Sequence, residues 1–221
     1  MNGLRLAIFD VDGTLVDSQS HILAAMTAAF ETEGLPVPAR AEILGIVGLS
    51  LPVAVAALAP DLPQASRERM VEAYRSAFFD LRVGNAASPL YPGAREALEK
   101  LAAQDELLLG IATGKSRRGL DHILQAHGIT HHFVTIQVSD HHPSKPHPAM
   151  VLAALSETGV EAADAVMIGD TEFDIEMGRA AGARTLAVSW GYHPAARLGG
   201  ADAMVEDFAA LPGAVARVWG R

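Results

Sequence analysis

Two aspartates near the start of the chain, Asp10 and Asp12, follow a short apolar run and are separated by one residue. Residues at positions i and i+2 of an extended segment point to the same side. Their carboxylates would therefore share a small volume, where two negative charges repel each other unless a cation such as Mg²⁺ lies between them. Both residues also form turns readily, so a simple strand end is the alternative interpretation of this segment alone.

Three later segments carry polar side chains of the kind that bind a phosphate group or a metal ion. They contribute a hydroxyl, an ammonium group and two carboxylates, on Thr113, Lys145, Asp170 and Asp174. A hydroxyl and an ammonium group suit a phosphate anion, whereas carboxylates suit a divalent cation. Each segment taken singly has an ordinary alternative, namely a strand-end cap, a solvated loop lysine or a helix N-cap.

The elements that must position these residues alternate between strands and helices. The apolar runs of strand length are Leu4–Phe9, Leu107–Ala112, Phe133–Val138, Ala165–Ile168 and Thr185–Val188, with a weaker sixth at Ala203–Val205. The helical stretches between them are Ala94–Ala103, Ser116–His127, Pro148–Thr158 and Glu172–Ala181. Runs this apolar fit strands buried on both faces. The alternation predicts an α/β fold with a doubly wound, mostly parallel sheet, in which ligands bind at the carboxyl ends of the strands.

A helical block interrupts this alternation after the first strand. Its predicted helices are Ser20–Thr32, Ala39–Val47, Leu51–Leu58 and Gln64–Leu81, divided by proline and glycine residues. We therefore expect a catalytic α/β core made of residues 1–16 and 85–221, and a small helical domain inserted into it over residues 17–84.

Charge and composition exclude several classes of function. Lys and Arg number 17 and Asp and Glu number 26, so the net charge is −9 at pH 7, without any basic run. Such a chain is not expected to bind nucleic acid. The absence of cysteine excludes a disulfide framework, a thiolate metal site and a thiol nucleophile. No apolar run approaches the length of a membrane span or a signal peptide, so we expect a cytoplasmic protein without a membrane partner.

The four polar segments, taken in order, resemble the motifs of the haloacid dehalogenase superfamily of aspartate-nucleophile phosphatases. They read DVDGT at Asp10, IATG up to Gly114, KP at Lys145 and GDTEFD from Gly169 to Asp174. The helical block is similar to the α-helical cap of that superfamily, and the whole chain looks most like phosphoglycolate phosphatases. The resemblance implies Mg²⁺-dependent hydrolysis of a small phosphorylated metabolite, with phosphoglycolate as a candidate, by a monomer or homodimer.

The resemblance also implies a role for each matching residue. Asp10 matches the nucleophile that becomes an aspartyl-phosphate, and Asp12 matches the general acid and base. Thr113 and Lys145 match the catalytic residues that bind the phosphate, and Lys145 would neutralise charge in the transition state. The backbone amide of Gly114 would donate a hydrogen bond to the same phosphate.

The implied metal site consists of four aspartates. Asp10 and Asp170 match direct ligands of Mg²⁺, Asp12 would bind it through its backbone carbonyl, and Asp174 would act through water or by holding the other ligands. Lys115 is close enough in sequence to assist, although a solvated residue at a helix start is an equal alternative. The nine histidines match no standard zinc spacing. We expect them on the surface or in loops, with a second metal site left open.

Other members of the superfamily fit the residues less well. Dehalogenases lack the second aspartate, which is present here as Asp12. Phosphonatases use a cap lysine, and the helical block has no lysine. A sugar-phosphate mutase remains an alternative, although Ile22 occupies the place where mutases carry a histidine, and His21 lies one position away. A non-enzymatic receiver-like phospho-acceptor module is the other alternative, although receivers lack the helical insertion and the GDxxxD segment.

Substrate specificity has only weak signals in the sequence. The segment from Gly45 to Leu51 resembles the cap loop that faces the phosphate. A guanidinium group binds a carboxylate through two hydrogen bonds. On that ground Arg40, Arg75 and Arg82 are candidates for holding a substrate carboxylate, with a solvated helix charge as the alternative for each.

Overall fold

A parallel sheet of six strands lies at the centre of the computed structural model, which describes residues 3–84 and 87–220 but not the side chains of residues 82–84. The strands are β1 (Arg5–Phe9), β2 (Leu107–Thr113), β3 (Phe133–Val138), β4 (Ala165–Gly169), β5 (Arg184–Val188) and β6 (Ala203–Val205). Their order across the sheet is β3-β2-β1-β4-β5-β6. The strands that precede β4 in sequence are added on one side of β1, and β4, β5 and β6 are added on the other side. Doubly wound sheets bind ligands at the position where the strand order reverses, which here lies between β1 and β4.

Helices cover both faces of this sheet because each inner strand is apolar on both sides. Along β1, Ala7 and Phe9 pack on one face with α5 (Ala94–Ala102), α6 (Arg117–Ala126) and α9 (Leu211–Val218). Leu6 and Ile8 pack on the other face with α7 (Ala149–Thr158) and α8 (Glu172–Ala180). The predicted α/β fold with a doubly wound parallel sheet is confirmed.

Four helices between β1 and α5 pack around an apolar cluster of their own. They are α1 (Gln19–Thr32), α2 (Arg40–Leu44), α3 (Leu51–Leu58) and α4 (Gln64–Gly84). Met26, Phe30, Ile43, Val55 and Met70 are among the side chains buried in this cluster. We call this helical block the cap. Its division from the core at residues 84 and 85 stays a prediction, because Asn85 lies outside the described residues.

The two connections between the cap and the sheet lie side by side. The amide of Asp17 donates a hydrogen bond to the carbonyl of Pro89 (2.9 Å), and the amide of Tyr91 donates to the carbonyl of Leu15 (3.0 Å). Between these two bonds Val16 and Leu90 form an antiparallel bridge. The cap therefore begins and ends at one place on the core.

Candidate active site

The candidate site lies at the carboxyl ends of β1, β2 and β4, as the strand pattern predicted. Asp10 and Asp12 follow β1, and Thr113 ends β2. Gly13 turns the chain away with a φ of +84°, in the left-handed region that favours glycine. A Cβ atom at this position would also lie 2.2 Å from Oδ2 of Asp170. Glycine is therefore required both for the turn and for the close approach of Asp170, which follows β4.

A buried lysine connects two of the aspartates. Nζ of Lys145 lies 3.0 Å from Oδ1 of Asp10 and 2.6 Å from Oδ1 of Asp174, and all three side chains are almost completely buried. Oδ2 of Asp174 accepts hydrogen bonds from the hydroxyl (2.7 Å) and the amide (3.0 Å) of Thr171, the N-cap residue of α8. Asp174 is therefore held in place from both sides, and it positions Lys145 beside Asp10.

Asp170 completes a cluster of carboxylates with Asp10 and Asp174. Oδ1 of Asp170 accepts a hydrogen bond from the Thr14 hydroxyl, and Oδ2 accepts one from the backbone amide of Tyr192, both at 2.8 Å. One carboxylate oxygen from each of the three aspartates lies within 4.8 Å of the other two. Within the part of the chain that the structure describes, this is the one group of three or more histidine or acidic residues close enough to share a metal ion.

The donor set of this cluster suits a hard divalent cation. Oδ2 of Asp10 is buried without a hydrogen-bond partner among the described residues. A buried carboxylate oxygen without a partner is costly, and a bound cation removes that cost. Carboxylate oxygens are also the ligands that Mg²⁺ prefers. The residues present therefore fit a metal ion.

Burial and mutual repulsion change the protonation of the cluster. Burial raises the pKa of Asp10 from 3.8 to about 7, against the opposing charge of Lys145 and with a further rise from Asp174. Burial also raises the pKa of Asp170 well above 3.8, and the charges of Asp174 and Asp10 add to this effect. Burial alone would lower the pKa of Lys145, but the charges of Asp10 and Asp174 outweigh it and raise that pKa. Lys145 therefore stays positively charged.

The carboxylate of Asp12 has different partners from that of Asp10. Its Oδ2 lies 2.9 Å from Nζ of Lys115, and its Oδ1 accepts a hydrogen bond from the hydroxyl of Ser18. The phenol of Tyr192 accepts a hydrogen bond from the amide of Ser18 (3.1 Å) and lies 3.2 Å from its hydroxyl. Asp12 is thus held near the surface of the cavity, and Lys115 is its ionic partner.

Thr113 and Gly114 lie against the cap. The Thr113 hydroxyl is buried and accepts a hydrogen bond from the amide of Lys115 (3.2 Å). A Cβ atom on Gly114 would lie 2.4 Å from the carbonyl oxygen of Gly48 and 2.7 Å from that of Leu49. The loop that the sequence assigned to the phosphate-facing side of the cap therefore contacts the core directly at Gly114.

Polar contacts on the other side of this loop also join the cap to the core. The amide of Ser50 donates to the hydroxyl of Ser144 (2.8 Å), next to Lys145. The ring of His193 accepts a hydrogen bond from the amide of Glu172 at Nδ1 (3.2 Å), and its Nε2 lies 3.1 Å from the carbonyl of Gly45. Burial and the charge of Arg197 lower the pKa of His193, so the neutral ring is favoured.

A cavity of about 680 Å³ opens between the cap and the core above these residues. Asp10, Asp12, Thr113, Gly114 and Lys115 line its inner end. Side chains of α1, α3 and α4 form the opposite wall. The cavity therefore has Asp10 of the carboxylate cluster at one end and side chains of the cap along its opposite wall.

Of the three arginines predicted as candidates for binding a substrate carboxylate, only Arg75 lines the cavity among the described side chains. Arg40 donates to Gln19 (2.8 Å), and Arg75 pairs with Glu72 (3.7 Å) while it lines the cavity. The side chain of Arg82 lies outside the described residues.

Sequence reasoning missed the roles of Thr14, Ser18, Ser144, Tyr192 and His193, which hold the site residues or join the cap to the core. Only the position of Thr14 within the first motif offered a signal for any of them.

The histidines do not form a second metal cluster with acidic residues in the described part of the chain. The rings of His131 and His132 lie 4.0 Å apart on the surface, and the ring of His142 is hydrogen-bonded to Gln137 (2.8 Å).

Among the helices that the structure describes, none has the length and apolar character needed to cross a bilayer.

Similarity to known proteins extends over most of the chain. A family model described as haloacid dehalogenase-like hydrolase matches residues 7–188. The probable phosphatase IndB of Dickeya dadantii is 34% identical over 214 residues, which are 95% of this chain and 92% of that protein. A phosphoglycolate phosphatase of Vibrio cholerae is 31% identical over 200 residues, 87% of this chain and 88% of that protein.

A solved structure has the same fold over nearly its whole length. It is a haloacid dehalogenase-like family hydrolase from Streptococcus pneumoniae, with a TM-score of 0.83 and 28% sequence identity. The alignment covers 97% of this chain and 99% of that one. The sheet and the helices packed around it thus form a fold that is also found in this solved hydrolase.

Proposed function

Because the chain belongs to the haloacid dehalogenase-like hydrolase family and is a phosphatase, we propose that it is a Mg²⁺-dependent phosphomonoester hydrolase that forms an aspartyl-phosphate on Asp10. The observation that carries this proposal is the buried carboxylate of Asp10, which faces Lys145 and has an oxygen without a hydrogen-bond partner among the described residues. The substrate is a small phosphorylated metabolite. The similar protein of Vibrio cholerae makes phosphoglycolate one candidate.

The first half of the reaction transfers the phosphoryl group to Asp10. The carboxylate of Asp10 attacks phosphorus, and the bond between phosphorus and the ester oxygen breaks. Asp12 gives its proton to the departing alcohol oxygen. The ion pair with Lys115 and the bond from Ser18 orient the Asp12 carboxylate toward the cavity, where the alcohol leaves.

The second half returns the enzyme to its starting state. Asp12, now deprotonated, accepts a proton from a water molecule, which attacks the phosphorus of the aspartyl-phosphate. The bond between phosphorus and the Asp10 oxygen breaks, and inorganic phosphate leaves. One residue thus acts as acid in the first step and as base in the second.

Three residues hold the phosphate during both steps. The Thr113 hydroxyl and the Gly114 amide lie at the end of β2 and can donate to phosphoryl oxygens. The buried ammonium of Lys145 offsets the negative charge that the transition state gathers beside Asp10. Its raised pKa keeps it charged at the pH values at which the enzyme works.

The metal site that we propose consists of the carboxylates of Asp10 and Asp170 and the backbone carbonyl of Asp12, with Asp174 acting through water or by holding the other ligands. Mg²⁺, when bound, neutralises these carboxylates and polarises a phosphoryl oxygen. Thr14 and the amide of Tyr192 orient Asp170 for this role, and Thr171 orients Asp174.

Two alternatives have less support. In a mutase the phosphoryl group returns to the substrate, and a histidine shortly after the first motif takes part. Here the buried His21 bonds through Nδ1 to the hydroxyl of Ser88 (2.7 Å) and does not line the cavity. The receiver-like module is set aside, because the cap is present and the family model spans residues 7–188.

We further propose the organisation expected from the sequence. Residues 1–16 and 85–221 form the catalytic core, and residues 17–84 form the cap domain. The protein is proposed to work in the cytoplasm as a monomer or homodimer.

The test is phosphate release by EDTA-treated protein before and after Mg²⁺ is added. With p-nitrophenyl phosphate, phosphoglycolate and sugar phosphates as substrates, we expect release only in the presence of Mg²⁺. Equal turnover in metal-free buffer would contradict the metal role. Conversion of a sugar phosphate to its isomer without release of phosphate would favour the mutase.

A further inference from the structure

The cavity is large compared with the candidate substrate phosphoglycolate. Its volume of about 680 Å³ falls within the ~300–1,000 Å³ that proteins use for ligands the size of a drug molecule. Phosphoglycolate has only two carbon atoms beyond its phosphate. Once its phosphate lies at the inner end, phosphoglycolate leaves most of the cavity to water. The volume of the cavity therefore favours a phosphomonoester with a larger alcohol.

Part of the wall that faces the proposed phosphate site is apolar, and Glu72 and Arg75 of α4 line it as well. Ile22 and Met26 of α1 and Leu51 and Ala54 of α3 line the cavity. An apolar wall favours a ligand that buries apolar surface, and it offers few hydrogen bonds to a free sugar or a short acid.

Aromatic rings of α4 complete this wall. Tyr74, Phe78 and Phe79 all line the cavity, and the rings of Tyr74 and Phe78 stack with centroids 5.7 Å apart. Nζ of Lys115 lies 4.8 Å from the centroid of Phe78 and 2.9 Å from Asp12. Lys115 therefore lies between Phe78 of the aromatic wall and Asp12, the residue proposed to protonate the leaving group.

The cations that line the cavity already have partners. Lys115 pairs with Asp12, Arg75 pairs with Glu72, and the guanidinium of Arg118 lies 4.8 Å from the ring centroid of Phe79. A substrate carboxylate would have to compete with these contacts. The rings and aliphatic side chains of the described lining thus offer contact surface to an uncharged apolar group.

We propose that the preferred substrate is a phosphomonoester whose alcohol carries an aromatic or heteroaromatic ring, which packs against the cap wall formed by α1, α3 and α4. This inference rests on the proposed phosphatase function and names the substrate class. Two sources share this chemistry, namely a nucleoside 5′-monophosphate and a phosphorylated arylmethyl alcohol.

The test compares matched substrates that differ by the ring. Uridine 5′-monophosphate is compared with ribose 5-phosphate, and benzyl phosphate with propyl phosphate, at saturating Mg²⁺. A base that stacks on an aromatic side chain binds more tightly than the same ligand without the base. We therefore expect kcat/KM to be higher for the ring-bearing member by about tenfold or more in at least one pair, and the pair that shows it identifies the source.

A variant with a smaller cavity tests the place of the ring. Ala54→Leu extends a side chain from the cap wall, and Ala57→Leu makes the same change on the exposed side of the same helix. We expect Ala54→Leu to lower the ratio of the two kcat/KM values by about tenfold, mainly through KM, and Ala57→Leu to preserve it. Because both constants come from one sample, a loss of folded protein does not change their ratio.

The outcomes separate the two proposals. Failure to release phosphate from any of the four substrates contradicts the proposed function. Equal or higher kcat/KM for the ringless member of both pairs in the unmodified enzyme overturns the ring inference alone, whether or not the Ala54 variant folds. An unchanged ratio in an active Ala54→Leu variant overturns the assigned location.

Discussion

Asp10 and Asp12 follow the same strand, yet their carboxylates have different surroundings. Asp10 is buried beside Lys145 in the carboxylate cluster, whereas Asp12 pairs with Lys115 at the cavity surface. A nucleophile must be ionised and an acid must carry a proton, so the two roles require separate environments. The two carboxylates do lie in separate environments, because each pairs with a different lysine. Without metal, burial raises the pKa of Asp10 to about 7, so its proposed role as nucleophile depends on a cation that favours the ionised form.

Replacement of the proposed nucleophile is the first prediction. Asp10→Asn should abolish phosphatase activity while the protein remains folded, because an amide oxygen cannot form the aspartyl-phosphate. The variant also removes a buried charge, so its melting temperature without Mg²⁺ should equal or exceed that of the unmodified protein. The control is Asp105→Asn, which removes one negative charge from an exposed residue that precedes β2. Activity within about tenfold of the unmodified enzyme would exclude Asp10 as nucleophile.

Replacement of the proposed acid and base should have a different signature. Asp12→Asn should slow both steps by about 10²–10⁴-fold, the usual contribution of general acid and base catalysis. The first step should recover with p-nitrophenyl phosphate, because a stable leaving anion needs little protonation. The second step still needs the base, so the phosphorylated enzyme should accumulate.

Rapid quenching and detection of phosphorylated protein measure this accumulation. The Asp10→Asn variant serves as the control and should give no phosphorylated enzyme with any substrate. Equal slowing of the first step for good and poor leaving groups would remove Asp12 from the acid role.

Among individual residues, the sequence predicted the positions of those candidate site residues that lie at the ends of strands. Asp10 and Asp170 follow buried strands and Thr113 ends one, and parallel strands bring such residues to one edge of the sheet. Tyr192 and His193 could not be predicted in this way. They lie in a loop after β5, and their contacts with the site depend on tertiary packing that leaves no periodic pattern.

Among the elements of the cap, the loop between α2 and α3 contacts the core at the end of β2, beside the proposed phosphate-binding residues. Gly48 has a φ of +103°, and its carbonyl lies against Gly114 at the end of β2. Two glycines thus allow two backbones to approach closely, one from the cap and one from the core.

A methyl group at this contact should disturb the packing of the cap loop on the core. Gly114→Ala would place Cβ 2.4 Å from the carbonyl oxygen of Gly48, so the loop must move. A displacement of about 1 Å near reacting groups costs roughly 10²-fold in rate, and we expect a fall in kcat/KM of about this size. Gly199→Ala is the matched control, because a Cβ there meets no atom within 4 Å. Kinetic constants like those of the control would show that the contact does not affect catalysis.

The strands were easier to predict than the ends of the helices. Strands buried on both faces are continuous apolar runs, and their predicted bounds lie within one residue of those in the structure. The second cap helix was predicted to reach Val47 but ends at Leu44, where Gly45 and the turn at Gly48 interrupt it. Helix α9 was not predicted, because Pro212 and Gly213 in its first turn conceal the apolar face formed by Leu211, Ala214 and Val215.

For the molecule as a whole, the carboxylate cluster is expected to make stability depend on pH and on the proposed metal. The pKa of Asp10 is raised to about 7 in the folded protein, and that of Asp170 is also raised. A group with a raised acid pKa binds its proton more tightly in the folded state than in the unfolded one. Without metal, its contribution to stability is therefore greatest below pH 3.8 and falls as the pH rises to about 7.

Mg²⁺ should reverse this loss, and more strongly at high pH. At 100 times its dissociation constant, a ligand adds about 2.7 kcal/mol, which corresponds to roughly 5–10 °C in Tm for a chain of this size. We expect a rise of that order at pH 8. A clearly smaller rise is expected at pH 5.5 with the same Mg²⁺ concentration, because a proton on Asp10 competes with the cation.

Thermal unfolding with EDTA and with Mg²⁺ at the two pH values measures the difference. The Asp10→Asn variant, which lacks the competing proton, should show a weaker response to both Mg²⁺ and pH. An equal increase at pH 5.5 and pH 8 in the unmodified protein would disconnect metal binding from the ionisation of the cluster.

The paired connections between cap and core have a consequence for how such a chain can diversify. Asp17 and Pro89 are hydrogen-bonded neighbours, so a segment of any length can begin and end there without changing the path of β1 or α5. Insertions, deletions and recombination between these points leave the carboxylate cluster and Lys145 in place. Related genes can therefore keep the core residues of the proposed chemistry while exchange of one contiguous stretch of sequence changes the wall that faces the substrate.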